Sequence, residues 1–195
     1  MALGELQSAL ARLFTDEAAR ADFLCDPRAA GRALGLDESD AETLARLAPR
    51  ALRQFAGSLR AKSVADARRR MPLTARALGE AFADHWPDAL ALLSAGANRA
   101  DEAHALAARL AALAKAHRVA PEWIGDLARY EAAFVEAAHR RFGVRVLLFR
   151  FPVGRIAARL REGGAVDDCA AKTTLGVWTR RPGGRLFHRV WTLRR

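Results

Sequence analysis

Val144-Arg145-Val146-Leu147-Leu148-Phe149-Arg150-Phe151 is the stretch on which the fold turns. Every residue but the two arginines is β-branched, aliphatic or aromatic, and the run starts directly after Gly143. A run of this kind reads as a strand. Downstream of it, Ile156 and Leu160 give residues 154–162 helical spacing. Residues 173–180 read as a second strand, Pro182-Gly183-Gly184 as a turn and residues 186–193 as the strand that follows. The C-terminal part is therefore expected to be a small β-α-β-β module, a three-stranded antiparallel sheet with one covering helix. A crossover through the helix would make the first two strands parallel. Antiparallel pairing of all neighbours then predicts the spatial order first, third, second, with residues 144–151 and 173–180 at the two edges. Alternation puts Thr174, Gly176, Trp178 and Arg180 on one face, with Leu175 and Val177 on the other. Phe187, Arg189, Trp191 and Leu193 share a face of the last strand.

Upstream of Gly143 the apolar spacing is helical. Leu3, Leu6, Leu10, Leu13 and Phe14 form one stripe. Thr15 and Asp16 offer caps for a second short helix, residues 17–25, and Asp26-Pro27 restarts the chain with aspartate as the cap and proline in the first turn. A helix ends at Gly35, and Asp37-Glu38-Ser39-Asp40 starts another. Pro49 opens a long helix whose last turn holds Arg68-Arg69-Arg70, where cations complement the helix dipole. Pro72 breaks it. A helix from Leu73 to Trp86, an interruption at Pro87, and helices over 98–117 and 121–141 complete the helical part. The expected class is α+β, with an all-α domain over residues 1–142 and the α+β module over 143–195.

The chain has 195 residues, 51% of them hydrophobic and 28% charged, which suits a folded protein rather than a disordered one. Net charge is +10, so nucleic acid, anionic lipid and acidic polypeptides are the partner classes to weigh. The opening residues, MALGELQSAL, lack a basic segment before an apolar run, and no stretch is long and apolar enough to span a membrane; a cytoplasmic location is expected. Cys25 and Cys169 are far apart and read as reduced thiols.

A search for chemistry returns little. His85, His104, His117, His139 and His188 are scattered, with no HxxH or HExxH spacing. There is no phosphate-binding glycine loop and no nucleophile elbow around a serine. Asp167-Asp168-Cys169 reads as a polar loop before a strand. No metal ligands and no catalytic residues are assigned, and an enzyme is not expected.

Several segments carry a resemblance. They are Phe23-Leu24-Cys25-Asp26-Pro27-Arg28 with Leu34-Gly35-Leu36, Arg53-Gln54-Phe55-Ala56-Gly57-Ser58-Leu59, and Pro72-Leu73-Thr74-Ala75-Arg76-Ala77-Leu78-Gly79. Trp123-Ile124-Gly125-Asp126-Leu127-Ala128-Arg129-Tyr130-Glu131 and Arg181-Pro182-Gly183-Gly184-Arg185-Leu186 complete the set. Together they resemble the partner proteins of multinuclear non-heme iron-dependent oxidative enzymes, the group that includes the methanobactin biosynthesis partner subunit. Cys25 departs from the small residue expected at its position. The resemblance implies a non-catalytic subunit that binds the leader of a ribosomally made precursor peptide and presents it to an iron-dependent barrel enzyme. The iron would lie in that enzyme, and this chain would carry no cofactor.

Given that implication, an open sheet edge could take the peptide as an added strand. The residues expected to serve are Arg145, Arg150, Thr173, Thr174, Leu175, Gly176, Val177, Trp178 and Arg180. The arginines would favour acidic leader residues. Thr173, Thr174 and Gly176 would leave room for an approaching backbone at the second strand. Three readings compete with this one: a basic nucleic-acid-binding regulator, a free-standing enzyme using Asp168, Cys169 or a histidine, and edges blunted by arginine against aggregation.

Overall fold

Short polar caps set the first helices. The computed structural model describes residues 3–94, 96–139, 143–166, 169–181 and 183–193. α1 (Leu3–Thr15) is followed by α2 (Glu17–Cys25), whose cap Asp16 accepts from the Ala19 N–H at 3.1 Å. α3 (Pro27–Ala33) starts at Asp26, which accepts from the Ala29 N–H at 3.0 Å, with Pro27 in the first turn. Gly35, at φ +87°, turns the chain out of that helix. Asp37 caps α4 (Glu38–Ala45) through the Asp40 N–H at 2.8 Å.

Ala9, Leu13, Phe23, Leu36, Ala41, Leu44 and Leu52 form one buried cluster. Gly31 lies so close to α4 that a Cβ there would meet the Ala41 Cβ at 2.9 Å. These elements make up the first of two compact units, residues 1–65; the second is residues 66–195. The long helix α5 (Pro49–Arg70) runs across the division. The boundary expected at residue 142 therefore falls inside the second unit.

In that unit α6 (Pro72–Leu78) ends at Gly79, φ +58°, and a 3-10 turn over Gly79–Ala81 leads into α7 (Phe82–Leu90). Two expectations are corrected here. The helix expected over residues 73–86 is broken at Gly79, where only a residue tolerant of positive φ fits. Pro87 does not interrupt: α7 runs through it, with Phe82, Trp86 and Ala89 buried on either side. α8 (Arg99–Lys115) begins with a capping box between Asn98 and Asp101. α9 (Ile124–His139) is the spine of the unit. Its Ile124, Leu127, Ala128, Ala132 and Ala133 are fully buried. Gly125 sits where a Cβ would come within 2.5 Å of the Ala111 Cα, so α8 and α9 meet almost backbone to backbone.

The fold class is α+β. β1 (Gly143–Phe149), α10 (Val153–Arg161), β2 (Thr174–Arg180) and β3 (Leu186–Thr192) follow α9, as the sequence suggests. The sheet order is β1-β2-β3, antiparallel throughout. The expected order, with the third strand in the middle, is corrected. Phe149, the last residue of β1, pairs with Thr174, the first of β2. The chain thus leaves and re-enters the sheet at the same end. α10 and the irregular stretch after it are an excursion within a wide hairpin, not a crossover, so β2 lies next to β1 and runs against it.

Candidate binding site

The sheet has one face turned to helices and one turned outward. On the inner face Trp178 and Phe149 are buried to 1% and 2% exposure against Tyr130 and Phe134 of α9. Ring centroids lie 5.6 Å apart for Tyr130–Trp178 and for Phe134–Trp178, edge to face in both pairs. Gly176 makes this layer possible. A Cβ on it would meet the Trp178 Cη2 at 2.7 Å and the Phe149 ring at 3.0 Å. Its lack of a side chain makes room for the Trp178 ring, not for an approaching peptide backbone.

His188 lies beside Tyr130, its Nε2 3.2 Å from the phenol oxygen. Burial of the ring lowers its pKa from the ordinary value, and the Arg161 charge lowers it further.

The outer face is apolar and open. The registers align Val144, Val146 and Leu148 of β1 with Thr179, Val177 and Leu175 of β2. These in turn face Phe187, Arg189 and Trp191 of β3. Val144, Val146, Leu148, Phe187, Trp191 and Leu193 are 44–64% exposed, and they are six of the nine exposed large hydrophobics among the described residues. Their concentration on one face is what marks a contact surface; scattered singly they would mean nothing. Arg189 stands in their midst, exposed and without a carboxylate partner among the described residues.

Hydrogen-bond phase decides which strand can accept another chain. The Leu193 N–H donates to the Thr173 carbonyl at 2.9 Å, one step beyond the Thr174–Thr192 pair. In an antiparallel ladder bonded and non-bonded pairs alternate. Odd-numbered residues of β2 therefore bond β3, and its even-numbered residues bond β1. Gly143, Arg145, Leu147 and Phe149 are the β1 partners of those even-numbered residues. The N–H and C=O groups of Val144, Val146 and Leu148 point away from the sheet, and among the described residues they meet no backbone partner.

The expected site residues divide on this geometry. Leu175, Gly176, Val177, Trp178 and Arg180 belong to a central strand paired on both sides, so β2 has no edge to offer. That expectation is corrected. Thr174 is fully buried and its hydroxyl donates to the Lys172 carbonyl at 3.0 Å. Thr173 lies just before the strand, its carbonyl taken by Leu193. Arg180 donates to the Ala137 and Ala138 carbonyls at 3.0 and 2.7 Å, closing the end of α9. Arg145 is on the inner face beside the open edge, 3.4 Å from Glu136, which also holds His104 at 2.9 Å. Arg150 stands exposed past the end of β1, over the Phe151 ring. Its backbone N–H donates to Asp126. Arg145 and Arg150 flank the edge; the other expected residues serve the sheet itself.

Val144, Val146, Leu148, Phe187, Arg189, Trp191 and Leu193 were not among the expected residues. The alternation in β1 carried the signal, and so did the charge distribution. Residues 143–195 hold twelve Lys and Arg against three Asp and Glu, whereas residues 1–142 hold twenty against nineteen. Nearly all of the net charge thus belongs to the segment that carries the sheet.

The Arg68-Arg69-Arg70 run is engaged within the protein. Arg68 reaches Glu80, Arg69 pairs with Asp66, and Arg70 pairs with Glu102 at 2.7 Å while lying over the Trp86 ring. Asp167 and Asp168 lie outside the described residues, as does Pro182. Among the described residues no three His, Cys, Asp or Glu side chains gather around a point that a metal ion could occupy. No described helix is long and apolar enough to cross a membrane. No protein-family model, curated protein or solved structure matches the chain.

Proposed function

We propose that this chain is a non-catalytic binding subunit of a cytoplasmic peptide-modifying complex. It takes the leader segment of a ribosomally made precursor as a fourth strand on β1 and presents the precursor to a separate iron-dependent oxidative enzyme. One observation carries the reading: the outward N–H and C=O groups of Val144, Val146 and Leu148, on an edge that the described residues leave uncovered. Strand addition supplies affinity through backbone bonds and selectivity through the flanking side chains. The oxidative partner and the leader enter through the sequence resemblance to partner subunits of multinuclear iron enzymes. The chemistry would belong to that enzyme.

The test uses Val146→Pro. Its N–H makes no bond within the sheet, so proline on this edge strand spares the ladder. Gel filtration follows the variant with a multinuclear non-heme iron-dependent oxidative enzyme and with a labelled precursor leader peptide. The expected result is an enzyme complex that still elutes as one species, a leader that no longer travels with it, and an unchanged circular dichroism spectrum. A leader that binds the folded variant as before would refute strand addition. Separate elution of enzyme and wild-type chain would refute the partner assignment.

A second reading has its own support. Phe187 and Trp191 beside Arg189 on an open sheet resemble the aromatic platforms on which single-stranded nucleic acids stack. Such binding would show a steep salt slope. Val144, Val146, Leu148, Leu175 and Val177 speak for a protein ligand, because aliphatic side chains offer bases no stacking surface.

A further inference from the structure

The edge of β1 and the outer face of the sheet are built by the same residues. Val144, Val146 and Leu148 aim their backbone groups at the open edge and their side chains at the outer face. A strand added to this edge places every second side chain beside one of these three, about 4.5–5.5 Å away between Cβ atoms. Each such position extends an apolar surface that continues through Leu175 and Val177 to Phe187 and Trp191.

The intervening side chains fall on the inner side. There they meet a cleft lined by Glu136, Ala137, Arg145 and Arg180. Its only carboxylate, Glu136, is already held by His104 and Arg145. Arg180 is spent on carbonyls of α9, while Arg145 is 42% exposed and open to a second acceptor. Arg150 is exposed at the end of the strand, where it pairs with Glu122 at 3.7 Å and lies over the Phe151 ring. By sequence, the segment that carries the sheet, residues 143–195, holds twelve Lys and Arg against three Asp and Glu.

We infer that the ligand of the β1 edge is an acidic, extended peptide segment with apolar residues at every second position and carboxylates between them. The inference rests on the strand-addition reading and adds the side-chain pattern to it. A second copy of this chain is the wrong occupant, because it would bring a like-charged module against this one. A nucleic acid would leave the aliphatic side chains unstacked.

Three ten-residue synthetic peptides with a fluorescent label test the inference by anisotropy on the full chain. The first alternates Val or Leu with Glu. The second has the same composition with the apolar residues grouped together. The third replaces every Glu by Lys. The first is expected to bind, and the other two to bind about tenfold more weakly or worse, the second through loss of three cross-strand pairs and the third through repulsion of its lysines by Arg145 and Arg150. Val146→Pro should abolish binding of the first.

If the grouped or the lysine peptide binds as well as the first, and Val146→Pro abolishes both, strand addition stands and the pattern is wrong. If no peptide binds, or the proline variant binds all alike, strand addition itself is wrong. An oligouridylate or an anionic vesicle that displaces the first peptide at lower concentration than unlabelled peptide does would assign the face to nucleic acid or lipid and overturn the inference.

Discussion

At Glu131 a buried carboxylate holds two parts of the second unit together. Its side chain accepts from the Leu73 N–H at 2.9 Å and the Thr74 N–H at 2.7 Å, at the start of α6. These are the unsatisfied donors of a helix N-terminus. Burial raises its pKa from the ordinary 4.5, although both N–H bonds and the Arg161 charge work in the other direction. A raised pKa means that the folded chain binds this proton more readily than the unfolded chain does. The contribution of Glu131 to stability is therefore fully present below pH 4.5, and it is lost as pH rises through the folded pKa. Glu131→Gln replaces one acceptor by an NH₂ that opposes a backbone N–H, and is expected to cost about 1–3 kcal/mol at neutral pH. Urea titrations of both proteins across pH should show the gap between them widening on acidification. A gap that narrowed would mean that the fold prefers the carboxylate.

The close contact of α8 and α9 belongs to the scale of elements. The sequence marks both as helices, over residues 98–117 and 121–141, and the Asn98–Asp101 capping box starts the first of them. Their separation is a matter of side-chain size. Ala111 faces Gly125, where a Cβ would lie 2.5 Å from the Ala111 Cα, and Ala107, Ala114 and Ala128 are buried in the same two helices. A backbone atom cannot swing aside as a side chain can, so the helices would have to part. Gly125→Ala is expected to destabilise by about 1–3 kcal/mol, even though alanine is the better helix former. A thermal midpoint equal to or above that of the wild type would show that α9 shifts freely. The separation matters for binding, because α9 also carries the Tyr130 and Phe134 rings on which the sheet rests.

Over the whole molecule, charge and core are distributed unevenly. Each unit has its own buried cluster, and all four tryptophans, Trp86, Trp123, Trp178 and Trp191, lie in residues 66–195. Tryptophan fluorescence therefore reports on the second unit, while far-ultraviolet circular dichroism reports on both. Leu13 is fully buried in the first cluster, so Leu13→Ala is expected to cost about 2–5 kcal/mol there. Under urea the dichroism of the variant should gain an early transition, with the fluorescence midpoint unmoved. Equal shifts of both signals would mean that the two units unfold as one.

The sequence by itself determined the α+β class, the segments that form the three strands, the starts of α2, α3 and α4, and the two-faced alternation of β2 and β3. Those properties are local: a cap needs a few residues, and alternation follows from the pleat. Sequence alone did not reveal the strand order, the break at Gly79 or the role of Gly176. Strand order depended on whether residues 150–173 cross the sheet or return to the end they left, and only the Phe149–Thr174 pair decides that. The expected site moved from β2 to β1 for the same reason. Which strand lies at an edge, and which backbone groups there stay unpaired, depends on neighbours brought together by the tertiary fold.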